Sequence, residues 1–398
     1  MPLSPTRRAL PRSVWVLGFV SLFMDLSSEI IHALLPLFVT VTLGASVAML
    51  GAIDGVAEAT ASFAKLIGGR LSDKQQKRKP WILAGYGMAA VTKPLFALAG
   101  TPLTVLGARL VDRTAKGLRG APRDALIADE TPSEQRGAAY GLRQALDTVG
   151  ALLAPLAAAG LMIALAGDIR SIFWIAVIPA FVSVAIILIF LREPERAVRE
   201  AKAPALWRSF REVDKDCRRV ILVAFLFTLA RFSESFFVLK GAEAGLSLAT
   251  APLVLVVFNL SYVLLSYPAG ALGDRKDPRL ILTAGIGLLI VGNAVLATTT
   301  SLAGLVVGVA LWGAHMALTQ GLFAKLLADV APANLRATAF GLFNVATGIG
   351  LLLASLGGGM LWDRDGPGAT FLASAAIAAA AGVFLWLLPK APAPAEAA

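Results

Sequence analysis

Three ionisable residues of the first apolar segment lie at helical spacing. In FMDLSSEIIHALLP, Asp25, Glu29 and His32 stand at positions i, i+4 and i+7, which places them on one face of a helix. Carboxylates in apolar surroundings can bind and release a proton, and with an imidazole they offer oxygen and nitrogen donors to a divalent metal. The spacing therefore predicts a proton or cation site, with Asp25, Glu29 and His32 as the metal-binding hypothesis.

A second group of charges follows helical spacing in DRTAKGLRGAPRDAL, residues 112–126. Arg113 and Lys116 stand well inside an apolar segment, where a charge costs about 2.5–3.5 kcal/mol in a bilayer. Such residues are expected to face a protein interior, and we predict that they bind substrate. Arg119 and Arg123 lie nearer the end of the segment, where positive charge is easily tolerated.

Polar residues on the other apolar segments complete the set of candidates. IDGVAEAT places Asp54 and Glu58 at i and i+4. The remaining candidates for proton or substrate binding are Arg143, Asp147, Glu234, His315 and Gln320. The alternative is that the buried acids only neutralise buried bases: Asp112, for example, is a ready partner for Arg109 or Lys116.

The composition indicates a membrane protein. Of the 398 residues, 57% are hydrophobic and 16% are charged, and the mean hydropathy is +0.74, whereas soluble domains are about 25% charged. Since Cys217 is the one cysteine, the chain can form no internal disulfide and no cysteine metal cluster. Its two histidines exclude a histidine-rich metal tail.

Twelve segments are apolar over about the 20 residues that a membrane helix needs. They are 14–42, 48–70, 80–100, 102–122, 137–166, 170–191, 219–240, 249–272, 279–299, 302–329, 337–361 and 369–389. The sequence therefore predicts an all-α membrane protein with six-helix bundles over 1–191 and 219–398. A polar linker over 192–218, with one amphipathic helix, joins them.

Basic residues are distributed unevenly along this topology. If the N-terminus lies inside, most of the 36 Lys and Arg fall on inside segments, and the outside loops hold Arg170, Lys240 and Arg364. Because basic residues accumulate on the cytoplasmic side, both termini and the linker are predicted to be cytoplasmic in an inner-membrane, multi-pass protein. This asymmetry explains the net charge of +10 without a nucleic-acid partner.

The second half of the chain repeats the first. ADETPSEQRGAAYGLRQALDTVGALLAP at 128–155 matches ADVAPANLRATAFGLFNVATGIGLLLAS at 328–355, at a constant shift of 200 positions. GRLSDK at 69–74 matches GALGDR at 270–275 at nearly the same shift. Two parallel halves with a site between them are typical of carriers that alternate access between the two sides of a membrane.

Several motifs resemble those of the major facilitator superfamily. GRLSDKQQKRK at 69–79 is similar to the family's loop between helices 2 and 3, and 270–279 is a weaker copy. Arg113 to Gly117 resembles the helix-4 motif R-x-x-x-G, and GALLAP at 150–155 resembles the helix-5 antiporter motif. The resemblance covers the whole chain and implies a twelve-helix carrier with the major facilitator fold.

The resemblance also implies roles for residues. In the family, the loop acid holds the two halves together in one state, and helices 1, 4, 7 and 10 line the cavity. We therefore expect Asp73 to contact Arg119 or Arg123 and the start of helix 11 near Arg336. The conformational gating residues implied in this way are Gly69, Asp73, Arg119, Arg123, Asp274 and Arg336.

Three stretches are similar to the facilitator subgroup that includes nickel-resistance exporters. They are RSVWVLGFVSLFMDLSSEIIHALLP, DRTAKGLRGAPRDALIAD and GAAYGLRQALDTVGA. The end of the sequence, PKAPAPAEAA, is not the histidine-rich tail common in that subgroup. The resemblance implies export against a proton inflow, with nickel as one substrate. The rival substrates are a drug and a small organic anion, which Arg113, Lys116 and Arg143 could clamp.

Other classes of membrane protein fit the sequence less well. A membrane enzyme would need a nucleophile or metal constellation, and neither a Ser/His/Asp spacing nor H-E-x-x-H occurs. The duplication with its gating-type loops favours a carrier over a channel. The predicted partners are the lipid bilayer, protons and a small-molecule or metal-ion substrate. No cofactor is expected, and a monomer is the default assembly.

Overall fold

The structure is a computed structural model that describes residues 10–75, 77–132, 135–193, 214–273, 276–331 and 336–385. All regular elements within these ranges are helices. The first half comprises α1 (Arg12–Leu37, continued by a π-helix over Phe38–Thr42), α2 (Val47–Gln75), α3 (Lys79–Leu98), α4 (Pro102–Glu130), α5 (Arg136–Ala164) and α6 (Ile169–Phe190). The second half comprises α7 (Lys215–Leu229), α8 (Ser235–Glu243), α9 (Val254–Gly273, after a short 3-10 turn), α10 (Pro278–Thr298), α11 (Leu302–Val330) and α12 (Arg336–Phe384).

These helices form twelve membrane spans, which confirms the predicted fold class. Among the described residues, nine helical segments are long and apolar enough to cross a membrane. Three further spans do not meet this criterion of length and apolar composition. α4 is as long as its neighbours but carries many charges, α7 and α8 are two short parts of one span, and α12 contains two spans that meet at Gly366, where φ is +83°.

Short polar side chains determine where equivalent spans begin. Thr101 accepts a hydrogen bond from the amide of Thr104 at 3.2 Å, and Pro102 occupies the first position of α4. At the start of α11, Ser301 accepts from the amide of Gly304 at the same distance. Such caps satisfy amides that have no partner within the helix. The two spans, which begin 200 positions apart, therefore start with the same kind of cap.

The helices of each half pack mainly on one another. In the first half α1 contacts α5 and α6, while α4 contacts α2 and α3; in the second, α7 contacts α12 and α11 contacts α9 and α10. α7 begins at Lys215, capped by Asp214, and so starts inside the predicted linker. The amphipathic helix predicted in that linker lies mostly outside the described residues.

The two halves share one hydrophobic core at one end and have separate cores at the other. We call the end where α1 ends and α2 begins the outer end, after the predicted orientation. There, a single cluster joins residues of both halves, such as Phe38, Phe173, Phe236 and Trp312. At the inner end, one cluster contains only residues of the first half and another only residues of the second. The protein is therefore closed at the outer end and divided at the inner end.

The seventh span differs from the continuous segment predicted over 219–240. Helix α7 ends at Leu229 and α8 begins at Ser235, so the segment 230–234 is not helical. Buried polar groups satisfy the backbone freed by this break: Ser374 donates to the carbonyl of Ala230, and the amide of Ser233 donates to Ser355 at 3.1 Å. Hydropathy does not reveal the break because the residues around it remain apolar.

Candidate functional site

Charged side chains from four helices of the first half converge inside the protein. They lie on α1, α2, α4 and α5, within electrostatic range of one another, and two of them are also within range of Glu234 in the second half. We call this group the interior cluster, and its members are Asp25, Glu29, Glu58, Arg113, Lys116, Arg143 and Asp147.

Two carboxyl groups of the interior cluster face each other. Asp25 on α1 and Asp147 on α5 lie within hydrogen-bonding reach. The two helices approach closely here: a Cβ atom on Gly150 would lie 2.6 Å from the carbonyl oxygen of Leu22. Asp147 is also 3.6 Å from a guanidinium nitrogen of Arg143. A facing pair of carboxyl groups can hold one proton between its oxygen atoms, because two ionised carboxylates in contact repel each other.

The predicted metal-binding face of α1 is divided between two partners. Glu29 lies 3.3 Å from Nδ1 of His32, whereas Asp25 turns towards Asp147. Within the described ranges, no three His, Cys, Asp or Glu side chains are grouped so that they could hold a metal ion. Metal binding by Asp25, Glu29 and His32 therefore stays a prediction, and it would require these side chains to rearrange.

Helices α2 and α4 are joined by two ion pairs, one turn apart. Arg109 Nη2 lies 3.0 Å from Asp54 Oδ1, and Arg113 Nε lies 3.3 Å from Glu58 Oε1. The first pair is almost fully buried, whereas the Glu58 side chain is 39% exposed. A Cβ atom on Gly117 would meet Ala64 at 2.4 Å, so the helices are in close contact beside the pairs. We call this arrangement the α2–α4 ladder.

Asp112 has a different partner from the one suggested by its spacing on α4. Its carboxylate accepts from Lys93 Nζ on α3 at 2.7 Å, and Lys93 also donates to Ser28 on α1 at 2.8 Å. The expectation of an ion pair with Arg109 or Lys116 along the same helix is therefore wrong. Asp112 points towards α3, while Arg109 points towards α2.

Lys116 is the cation of the interior cluster without a close partner. Its side chain is partly exposed and forms no hydrogen bond or ion pair with the described residues, although Asp25, Glu29 and Asp147 are within electrostatic range. Arg143, by contrast, donates to the side-chain oxygen of Gln144 at 2.5 Å. Lys116 can therefore meet an incoming group without breaking an existing bond.

The broken seventh span brings the second half to the interior cluster. Glu234 lies at the start of α8, within electrostatic range of Glu29, His32 and Glu58 across the two halves. Arg231, at the other side of the break, lies within range of Glu234. Discontinuous membrane helices place backbone ends and charges near the centre of many carriers. The structure thus places Glu234 at the junction of the halves.

The other second-half candidates are His315, which lies within electrostatic range of Arg231, and Gln320. His315 is fully buried: its Nδ1 is 2.9 Å from the carbonyl oxygen of Gly285, and its ring stacks on Phe227 with centroids 5.3 Å apart. That environment is the packing between helices of the second half. Gln320 is exposed on α11. Roles for both residues in substrate binding stay predictions.

Two of the predicted gating residues surround one tyrosine at the inner end of α4. The guanidinium of Arg119 lies 4.5 Å from the ring centre of Tyr86, and Arg123 is 3.4 Å from its hydroxyl. Arg123 also binds Asp124 at 3.0 Å. The side chains of Asp73 and Arg336 lie outside the described part of the structure, as do the surroundings of Gly69 and all of Asp274, so the predicted Asp73 contact stays a prediction.

Residues that the sequence did not single out complete the site. Ser233 and Ser235 donate to Asp54 across the two halves, at 2.6 and 2.5 Å. Serines are common, and their only signal was the density of polar residues in ARFSESFF. Lys93 had a clearer signal, since it is a charge in the apolar stretch AVTKPLFAL.

Known proteins share this arrangement of helices. The Major Facilitator Superfamily matches residues 17–240 and 220–398. An uncharacterised MFS-type transporter of Methanocaldococcus jannaschii is 30% identical to the chain over 95% of both proteins, and the inner membrane transport protein YajR of Escherichia coli is 26% identical over 92% of this chain and 81% of YajR. The nucleoside transporter NupG has the same fold, with a TM-score of 0.76 at 16% identity over 94% of this chain and 98% of NupG. The chain is a transporter rather than an enzyme, and it belongs to the Major Facilitator Superfamily.

Proposed function

We propose that this transporter is a proton-coupled exporter of the inner membrane, with both termini in the cytoplasm, and that it exchanges a cationic solute for a proton. The observation that carries the proposal is the facing pair of Asp25 and Asp147 inside the interior cluster. The distribution of Lys and Arg supports the orientation. The resemblance of residues 150–155 to an antiporter motif supports exchange as the mode of coupling.

Exchange requires that the proton and the solute are not bound together. A cation and a proton compete for the same carboxylates, because each neutralises the charge that attracts the other. Protonation of the Asp25–Asp147 pair would release a bound cation at the outer side, and a new cation from the cytoplasm would displace the proton. An inward proton gradient would then drive the cation out.

The cation is either organic or a divalent metal. A metal needs several donors at short range, and Glu29 and His32 already provide one oxygen and one nitrogen. An organic cation needs only carboxylates and apolar surface, which the present arrangement of the cluster offers without rearrangement. The resemblance to nickel-resistance exporters favours the metal, whereas the arrangement of the described side chains favours the organic cation.

A second candidate is cotransport of a small organic anion with a proton. The specific observation in its favour is Lys116, which has no close partner among the described residues. An anion bound at Lys116 would cancel a positive charge beside Asp25 and Asp147 and so favour proton binding at the same time. This coupling has the opposite sign to cation exchange. Binding of the anion would favour proton uptake by the protein, whereas binding of a cation would favour proton release.

The two candidates are separated by proton flux in proteoliposomes with an imposed pH gradient. The probes are Ni²⁺, Co²⁺ and ethidium as cations and benzoate as an anion, and a trapped pH indicator reports the gradient. The variants are Asp25→Asn, Asp147→Asn and Lys116→Gln. Asp365→Asn removes an exposed carboxylate near the outer end and serves as the matched control.

We expect a cation to dissipate the gradient with the wild type and with Asp365→Asn, and at least tenfold more slowly with Asp25→Asn and Asp147→Asn. Loss of a Ni²⁺ or Co²⁺ response in Glu29→Gln, with ethidium flux retained, would assign the metal to the predicted face of α1. A response to benzoate alone that is lost in Lys116→Gln would replace cation exchange by anion cotransport.

A further inference from the structure

The first amides of α2 are bound by a residue of the other half. Ser46 accepts from the amide of Met49 at 3.2 Å, as an ordinary helix cap does. The amides of Val47 and Ala48 instead donate to the two carboxylate oxygens of Asp363 on α12, at 2.9 and 2.8 Å. A carboxylate at a helix N-terminus also interacts favourably with the helix dipole. Asp363 therefore completes the cap of α2 from across the molecule.

The first half makes the reciprocal contact with α8. In the second half, the residue before α8, Glu234, forms no side-chain cap. The amide of Ser235 donates to the hydroxyl of Ser233 at 3.2 Å, and both serine hydroxyls donate to Oδ2 of Asp54 on α2. The other oxygen of Asp54 binds Arg109. Asp54 thus places a carboxylate at the N-terminus of α8, while its own charge is balanced within the first half.

Both contacts exist only while the outer end is closed. α2 and α12 touch through their backbones: a Cβ atom on Gly51 would lie 2.1 Å from the carbonyl oxygen of Ser355, and one on Gly359 would lie 2.6 Å from that of Val47. Separation of the halves at the outer end would pull Asp363 from α2 and Asp54 from the serines. Two helix N-termini would then lose the carboxylate supplied by the other half in a single step, and keep only the serine contacts within their own half.

We propose that Asp363 and Asp54 form a reciprocal helix clasp that holds the outer end closed, and that Asp54 connects this clasp to the interior cluster. The connection is the α2–α4 ladder: Asp54 and Glu58 are one turn apart on α2, as are their partners on α4. A change of charge at Arg113 or Glu58 is thereby transmitted to the neighbouring Arg109–Asp54 ion pair, whose aspartate forms part of the clasp. Asp54 and Asp363 are positioning residues, since neither needs to touch the transported solute.

The clasp can be tested by measuring the distance across the outer end in the absence of any solute. Spin labels at Leu103→Cys and Leu302→Cys, in a Cys217→Ala background, stand at exposed outer starts of α4 and α11 in opposite halves. Pulsed electron resonance in lipid nanodiscs then gives the populations with a short and a long distance. The variants are Asp363→Ala, and Ser233→Ala with Ser235→Ala, which leaves the Asp54–Arg109 ion pair intact.

Each variant is expected to raise the ratio of long to short distances about fivefold, which corresponds to about 1 kcal/mol for a lost helix cap. Because the two contacts involve separate groups, combining the variants should multiply the effects to about 25-fold. Asp363→Asn should raise the ratio only about twofold, since its single amide oxygen can still accept from one of the two amides, whereas its NH₂ group can only donate.

The matched control is Asp365→Ala, which removes an exposed acid two positions from Asp363, whose carboxylate lies 3.6 Å from Nε of its neighbour Arg364. This control should leave the distances unchanged. Unchanged distances in the folded Asp363→Ala and double-serine variants would overturn the clasp. Equal effects of Asp363→Ala and Asp363→Asn would also overturn it, because that result would assign the effect to net charge instead of capping.

Discussion

At the scale of single residues, the two most deeply buried ion pairs of the first half join different helices. Lys93 binds Asp112 across α3 and α4, and Arg109 binds Asp54 across α2 and α4. Removing one partner of a buried ion pair leaves an uncompensated charge, which is strongly destabilising, whereas removing both is often nearly neutral. These pairs therefore fix the positions of the residues beside them on α4.

The Lys93–Asp112 pair yields a prediction on stability. Asp112→Asn leaves the buried ammonium of Lys93 without a counter-charge and is expected to lower the free energy of unfolding by about 3–5 kcal/mol. Lys93→Met with Asp112→Leu should recover most of this loss. Cys217, the one cysteine of the chain, is buried. A thiol-reactive fluorophore can therefore report unfolding directly during a temperature ramp in detergent.

Asp365→Asn, an exposed change near the outer end, is the control and should leave the unfolding temperature unchanged. A double variant that unfolds at as low a temperature as Asp112→Asn would contradict the prediction, since the loss would then come from packing and not from the unpaired charge.

At the scale of elements, the break in the seventh span depends on a buried polar chain behind it. Trp312 donates to Asn293 at 2.9 Å, Asn293 donates to Ser374 at 2.8 Å, and Ser374 donates to the carbonyl of Ala230. Each group in this chain is buried. The chain thus connects α10, α11 and α12 to the end of α7 and satisfies the carbonyl that the break leaves free.

Substitution of Asn293 tests this support. Asn293→Leu leaves the indole N–H of Trp312 without its acceptor, and an unsatisfied buried group costs about 1–3 kcal/mol. We expect a lower unfolding temperature and faster hydrogen exchange of the amides in segment 230–235. Thr298→Val on the same helix is the control, since that hydroxyl donates to carbonyls of α10 itself. Unchanged exchange in the folded Asn293→Leu variant would mean that the break does not need this chain.

At the scale of the whole molecule, the two halves meet along α2 and the first span of α12. Glycines permit the approach: Cβ atoms on Gly51 and Gly55 would lie 2.1 and 2.8 Å from backbone atoms of α12. Backbone atoms cannot move aside as side chains can, so these positions tolerate only glycine while the halves are closed. The same positions would be unrestricted once the outer end opens.

Gly51→Ala is therefore expected to shift the protein towards the outward-open state. The added methyl group clashes with the Ser355 carbonyl only in the closed arrangement. The spin labels at Leu103→Cys and Leu302→Cys should report a majority of long distances. Gly107→Ala is the matched control, because a Cβ atom there meets nothing within 4 Å. A short distance retained in Gly51→Ala would show that the helices can separate locally without opening the outer end.

The sequence by itself determined the number of spans, the duplication and the family fold. These follow from local properties: an apolar length that can cross a bilayer, repeated caps such as Thr101 and Ser301, and motifs read in order along the chain. The sequence also indicated that Asp25, Glu29 and the charges of α4 lie inside the protein, because each stands in an apolar segment.

Only the tertiary structure decided which of these groups meet. Asp25 faces Asp147 and not His32, and Asp112 forms an ion pair with Lys93. The clasp connects Val47 to Asp363, more than 300 positions apart in the sequence. Such pairings depend on the rotation of each helix about its axis and on the distance between helix axes. Helical spacing reveals which residues share a face, but packing of the whole bundle determines what that face contacts.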